Sequence, residues 1–240
     1  ATTTFVSGGV SSDISLSNKY ALESAIYAGN EQKLGKKVIL KYGVRFSGFQ
    51  YLGEGKAYEF ADADSPLDSR IVNNETSYSK NQVISDYYNL EPRFSIKVDV
   101  DSVSSIKASY NRMSQYLHLM SNTAAATPLD VWSPTTNNIK PELADQIALG
   151  YFRNFGKNLG FEASSEVYYK ILQNQIGYVP DANLTLNEYY EGDLLFGNGR
   201  AYGIEFLIKK TTGKFTGWIS YTLAKSEIKI DNINNNDWFP

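Results

Sequence analysis

Hydrophobic and polar residues alternate along much of this chain with a period of two. In residues 90–100 every second residue is apolar, and the residues between them are polar or charged. The same alternation marks residues 38–46 and 202–208, and it resumes in 215–223 after a break at Thr211–Gly213. A period of two is the repeat of a β-strand and not of a helix. The pattern therefore predicts strands, and the glycine-containing break predicts a hairpin with a tight turn.

Eight segments of this kind follow one another along the chain. Their approximate bounds are 19–28, 38–46, 90–100, 106–110, 147–151, 161–169, 202–208 and 215–223. Short and long connections alternate between them, and residues 53–86, 114–143 and 180–198 are predicted as long loops. In an up-and-down antiparallel sheet, the short connections would then all lie at one end of the strands and the long loops at the other end. This asymmetry is typical of outer-membrane β-barrels, whereas sandwiches mix loop lengths at both ends.

One face of each of the clearest strands carries no charge. In residues 38–46 and 90–100, the charged side chains of Lys41, Arg45 and Lys97 lie on the other face. A Lys or Arg that faces lipid near the bilayer midplane costs about 2–4 kcal/mol, so the uncharged faces are predicted to meet lipid. About 9–11 tilted residues suffice to cross the membrane. The alternative is a soluble β-rich module whose apolar faces pack against each other.

Composition adds mainly exclusions. The chain has 240 residues with 23 basic and 26 acidic side chains, which gives no nucleic-acid footprint. The absence of cysteine excludes disulfides and thiolate metal sites. The chain begins with Ala1 and ends in a polar stretch at Pro240, so we expect a piece of a longer protein. Long strands and loops suit a large barrel, and a slice of one is expected to form an open, curved sheet.

Nine segments, in this order, resemble the barrel of TonB-dependent receptors. They are YALESAIYAG, KYGVRFSGFQYLGE, EPRFSIKVDVD, SIKASYNRMSQYLHLMSN, TPLDVWSP, NNIKPELADQIALGYFRNF, EVYYK, GRAYGIEFLIKKTTGKFTGWISYTLAKS and INNNDWFP. The resemblance covers residues 19–240. It implies an all-β fold, namely an antiparallel up-and-down transmembrane β-barrel fragment with about eight strands of a 22-stranded barrel. Residues 1–240 would then be a partial barrel domain, without the plug domain and the remaining strands.

The same resemblance implies active uptake across the Gram-negative outer membrane, without enzymatic activity or a resident cofactor. The substrate would be a ferric siderophore, cobalamin or an oligosaccharide. The expected partners are outer-membrane lipid, the receptor's own plug and the TonB energy-transducing complex acting through that plug. A surface lipoprotein is a further candidate partner. No nucleic-acid partner is expected. The alternatives are an independent small barrel (an adhesin, a porin or an outer-membrane hydrolase), which would pair residues 19–28 with 214–223, and the soluble module.

Aromatic residues in the long loops are the candidate substrate-binding residues. Their rings are able to stack on a sugar or an aromatic chelator, although packing within the loops is the alternative. These residues are Tyr51, Tyr58, Tyr116, Trp132, Tyr189 and Tyr190. A second aromatic group is predicted to lie in the belt at the membrane interface. It comprises Tyr27, Tyr42, Tyr151, Phe161 and Tyr221.

No metal or catalytic site is predicted. His118 is the only histidine and has no cysteine or carboxylate cluster in its neighbourhood, so it is assigned to packing. The acidic residues Asp62, Asp64 and Asp68 lack the glycine and terminal glutamate of a calcium-binding loop and are assigned to a solvated loop. Glu162 and Glu166 share a face with Lys170, so they are interpreted as lumen charges that neutralise one another.

Overall fold

A computed structural model describes residues 2–7, 10–15, 18–61, 71–121, 131–156, 160–182, 184 and 187–240, with only the backbone for residues 2–15 and 131. Within these ranges the chain consists of strands and two short 3₁₀ turns. No helix in them is long and apolar enough to cross a lipid bilayer. The strands are β1 (Thr2–Ser7), β2 (Val10–Ser15), β3 (Tyr20–Leu34), β4 (Val38–Leu52), β5 (Gly55–Phe60), β6 (Val72–Tyr78), β7 (Val83–Asp99), β8 (Ser104–Gln115), β9 (Leu117–Met120), β10 (Val131–Pro134), β11 (Glu142–Phe155), β12 (Phe161–Tyr178), β13 (Leu194–Lys210) and β14 (Gly217–Ile230).

Eight long strands form one antiparallel sheet in the order β14-β13-β12-β11-β8-β7-β4-β3. Each pairs with the next long strand along the chain, which confirms the predicted up-and-down sheet and its eight segments. The strands extend beyond their predicted bounds, since β7 begins at Val83 and β3 continues to Leu34. Strands β3 and β14 lie at opposite edges and do not pair. The sheet is therefore open, and the strand pairing that a closed eight-stranded barrel needs is absent from the described chain.

The connections at the two ends of the strands differ in length, as predicted. At one end of the strands the connections are short, namely residues 35–37, 100–103, 156–160 and 211–216, and at the other end the strands are joined by three long loops. The β13–β14 connection is longer than the predicted tight turn, and strand β14 begins at Gly217 instead of Phe215. Gly213 in this connection has a φ of 103°, a conformation that favours glycine.

The long loops contain hairpins that the sequence did not predict. Strands β5 and β6 pair within residues 53–86, and β9 pairs with β10 within 114–143. Strands β1 and β2 form a further hairpin near the N-terminus. Two backbone hydrogen bonds close the base of the β5–β6 hairpin, from Gly53 to Gln82 and from Asn81 to Gly53. The sequence predicted long loops at these positions and indicated no strand inside them, because strands in water need no continuous apolar face.

One face of the sheet carries a continuous apolar belt. Charged residues of the same face, such as Arg112, Asp145, Arg200, Lys225 and Glu227, lie beyond the belt toward the long-loop ends of their strands. In register, Phe46 lies opposite Leu90, and Ile204 lies opposite Leu223. The belt is bare within the described chain, and Leu149 at its centre is 52% exposed. A soluble module would cover this face, so its bareness contradicts that alternative. The exposed belt residues include Ile26, Tyr42, Val44, Phe46, Leu90, Phe94, Ile106, Ile147, Leu149, Tyr151, Val167, Tyr169, Phe206, Ile208, Ile219, Tyr221 and Leu223.

One residue of the predicted aromatic belt lies on the wrong face. Tyr27 is opposite Arg45 in register, whereas its neighbour Ile26 is opposite Phe46. Because successive side chains in a strand point to opposite faces, Tyr27 belongs to the charged face. The sequence pattern in β3 is too weak to fix this parity.

At the level of the belt, the charged side chains lie on the opposite face of the sheet. Arg45 donates hydrogen bonds to Glu91 over 2.9 Å and to Glu23 over 3.1 Å, and Lys97 forms an ion pair with Asp99 at 2.8 Å. Glu91 is only 1% exposed, and it also accepts a hydrogen bond from Ser47. The charges thus pair along the face predicted to line a lumen.

A single arginine on the belt tests its assignment to lipid. We expect Leu149→Arg to destabilise the membrane-inserted protein, lowering its free energy of unfolding by about 2–4 kcal/mol, because a cation would enter hydrocarbon. The matched control is Ala148→Arg on the opposite face of the same strand. Denaturant titration in lipid vesicles, followed by gel mobility of folded and unfolded protein, measures both. Equal losses for the two variants would contradict the assignment.

Candidate functional site

The long loops contact the charged face of the sheet at one end of the strands. The hydroxyl of Tyr87 on β7 donates a hydrogen bond over 2.7 Å to the carbonyl of Thr136. The ammonium of Lys19, just before β3, donates one to the hydroxyl of Tyr190 over 2.6 Å. The hydroxyls of Tyr190 and Ser133 are 2.6 Å apart, which joins two of the long loops. The loops are thus anchored to the sheet and to each other.

Glu191 is the centre of this anchoring. Its carboxylate accepts hydrogen bonds from Lys19 at 2.5 Å, from Thr136 at 3.1 Å and from the Asn138 amide at 2.7 Å. Asn138 also donates to the carbonyl of Tyr58, so strand β5 joins the same cluster. Burial opposes the charge on Lys19, but the attraction of Glu191 outweighs it and the pKa of Lys19 is raised. Lys19 is therefore protonated at neutral pH.

A rigid floor lies below this cluster on the charged face. Tyr116 is 3% exposed and stacks on Phe49, with ring centroids 5.0 Å apart. Its hydroxyl is 2.7 Å from that of Ser47 and accepts a hydrogen bond from Asn89. Ser47 donates in turn to Glu91. Such fully satisfied polar networks fix side-chain positions.

A cavity of about 520 Å³ opens between the loops and the start of β3. Its volume is within the range of small-molecule sites, about 300–1,000 Å³. Four of the six aromatic residues predicted to bind substrate line it, namely Tyr51, Tyr58, Trp132 and Tyr190. The charged residues of its lining are Lys19, Glu54, Lys56, Glu188 and Glu191.

The remaining two predicted residues lie near the cavity without lining it. Tyr189 packs edge-on against Tyr58, with centroids 5.0 Å apart, and Tyr116 belongs to the floor. Of the six rings, those of Trp132 and Tyr189 are the most exposed, at 60% and 46%. Tyr51, Tyr58, Tyr116 and Tyr190 are buried. The structure thus gathers the six residues in one region and leaves two of their rings open.

Sequence reasoning missed the polar residues that shape this site. Lys19 and Glu191 are separated by 172 positions, and neither lies in a motif. Asn138 is likewise far in sequence from its two hydrogen-bond partners, Tyr58 and Glu191. No local signal in the sequence identifies such residues.

The other candidate residues have structural surroundings. His118 is buried in the β9–β10 hairpin, with its Nε2 atom 3.0 Å from the hydroxyl of Thr135. Glu162 lies 3.9 Å from Lys209 on the neighbouring strand, so the predicted partner Lys170 is wrong. Asp62, Asp64 and Asp68 lie outside the described residues. Among the described residues, no three His, Cys, Asp or Glu side chains cluster as metal ligands do.

Comparison with known proteins identifies a matching family and several solved structures with a similar fold. A family model described as TonB dependent receptor-like, beta-barrel, matches residues 2–240. The structure is similar to the FrpB iron transporter of Neisseria meningitidis (F3-3 variant), at a TM-score of 0.58 and 14% identity, over 92% of this chain and 28% of that one. It is also similar to the closed form of the ferric-catecholate import receptor Fiu of E. coli K12 (TM-score 0.52, 12% identity, 89% of this chain and 29% of that one).

A third similar structure is FpvA of P. aeruginosa bound to a heterologous iron–pyoverdine, with a TM-score of 0.50 and 12% identity over 89% of this chain and 31% of that one. No curated protein matches the sequence. The chain thus spans less than a third of each of these three solved chains. From the match over residues 2–240, this chain belongs to the TonB-dependent receptor β-barrel family.

Proposed function

We propose that this chain supplies wall strands and extracellular loops of an outer-membrane receptor for active nutrient uptake. The observation that supports it most is the bare, uncharged belt across all eight strands of a chain that matches the receptor-barrel family. In this proposal the belt contacts outer-membrane lipid, the short turns face the periplasm and the long loops face the medium. The cargo is a ferric siderophore, cobalamin or an oligosaccharide. Of the similar structures, FrpB is an iron transporter and Fiu is a ferric-catecholate import receptor.

We also propose that the rest of the receptor completes the barrel. Within the described chain, the outer edge of β3 has no strand partner, and that of β14 has only one β-bridge, between Ile228 and Phe239. An unpaired edge in a bilayer is costly. Further strands of a 22-stranded barrel would pair with both edges. A plug domain would pack on the charged face and connect to the TonB complex, and a surface lipoprotein is a candidate partner at the loops. The receptor would transport without catalysing a reaction.

Anchoring of the loops supports a role in binding. A ligand that meets loops already held in place does not pay to order them. The cluster around Glu191 joins Lys19 near the N-terminus to residues of two long loops. The cavity wall is therefore preorganised.

Uptake by living cells tests the proposed function. We expect a strain that lacks the full-length receptor to lose uptake of one labelled cargo among a ferric siderophore, cobalamin and an oligosaccharide. Deleting the TonB complex in the wild-type strain should abolish this uptake while cell-surface binding persists, because only transport needs energy. Labelled cargo counted in washed cells measures uptake. Transport that continues without the TonB complex would refute active uptake.

The anchoring role of Glu191 has a matched control. We expect Glu191→Ala to speed amide hydrogen exchange in residues 131–141 at least tenfold, because Asn138 and Thr136 lose an acceptor and Lys19 keeps an uncompensated charge. The control Glu75→Ala removes an exposed pair with Lys56, and such pairs contribute about 0–1 kcal/mol. Mass spectrometry of the full-length receptor reads the exchange. The same exchange in both variants would show that Glu191 does not anchor the loops.

A further inference from the structure

The aromatic residues of the cavity divide into buried supports and one open platform. Tyr51, Tyr58 and Tyr190 are buried, and the hydroxyls of Tyr58 and Tyr190 are engaged by Glu188 and Lys19. Trp132 on β10 lines the cavity and is 60% exposed. An exposed tryptophan offers a flat apolar surface to a ligand. Stacking in this cavity therefore depends on Trp132.

The charges of the cavity leave an excess of carboxylates. Its two cations are already paired, Lys19 with Glu191 at 2.5 Å and Lys56 with Glu75 at 2.8 Å. Glu54 and Glu188 line the cavity and form no ion pair within the described chain, and no arginine is in the lining. Burial and the nearby Glu188 carboxylate both raise the pKa of Tyr58, as expected in an acidic environment. Recognition of anions normally uses arginine, and the described residues of the lining include none.

We propose that this cavity binds a neutral oligosaccharide, an inference that rests on the proposed uptake function and narrows its cargo. A sugar ring stacks its C–H face on Trp132, and its hydroxyls donate hydrogen bonds to Glu54 and Glu188. An anionic ferric chelate would bring negative charge next to two uncompensated carboxylates. The cavity thus discriminates by charge as well as by shape.

Binding to the purified full-length receptor tests this inference. The probes are fluorescently labelled hexasaccharides of glucose, mannose, xylose and galactose, with a ferric tris-catecholate as the anionic competitor. We expect one of the hexasaccharides to bind with a Kd that changes less than twofold between low and high salt, because no ligand charge is involved. Trp132→Ala should weaken binding at least tenfold, and Trp132→Phe much less. The control Trp218→Ala removes an exposed tryptophan of β14 that does not line the cavity and should leave the Kd unchanged.

Each other outcome counts against the inference. If none of the hexasaccharides binds at millimolar concentration, or if Trp132→Ala binds normally, the inference is wrong. If the ferric chelate binds and Glu54→Gln or Glu188→Gln tightens it, the cavity is an anion site. If a cationic ligand binds with strong salt dependence, the carboxylates select charge instead of hydroxyls. In these cases TonB-dependent uptake of another cargo still upholds the proposed function, whereas oligosaccharide binding without TonB-dependent uptake upholds only the inference.

Discussion

The fold of this chain depends on one constraint, which is that backbone polar groups need partners wherever water is absent. In hydrocarbon an unpaired amide or carbonyl costs several kcal/mol, so strands can cross only in a sheet whose ladders are complete. Eight strands pair with their neighbours here through antiparallel registers, which are interrupted only by shifts at Gln173–Gln175 and Tyr51–Leu52. The side chains then divide by parity, and the belt contains no charge while the opposite face contains paired ones. Membrane contact and a polar lumen follow from the same alternation.

Beyond the membrane the constraint relaxes, and different interactions determine the structure. The loops are held by charged and amide side chains that bridge distant parts of the chain, with Glu191 at the centre. Buried hydrogen bonds to a charged group are stronger than those between neutral groups. These contacts place the cavity at the junction of the loops and the wall. A rigid wall with an anchored rim is a suitable support for ligand recognition, because loop sequences can change without altering the sheet.

The charge distribution connects this architecture with the choice of ligand. On the lumen face, Arg45 and Lys97 have carboxylate partners, whereas Glu54 and Glu188 at the cavity remain without cations in the described chain. Charges that stay unpaired next to a cavity act on whatever enters it. The exposed ring of Trp132 then adds a flat apolar surface that carries no net charge. Together these features favour hydroxyl-rich ligands over anionic ones.

The sequence by itself determined the eight long strands, the apolar sides of the clearest of them and the alternation of short and long connections. These features are local, because burial in lipid imposes a period of two on each strand separately. It also identified the aromatic residues around the cavity, although not which of them have open rings. Only the tertiary structure decided the β5–β6 and β9–β10 hairpins, the parity of Tyr27 and the pairing of Glu162 with Lys209. It likewise decided the meeting of Lys19 with Glu191, because contacts between polar segments in water follow no periodic pattern and join residues that are far apart in sequence.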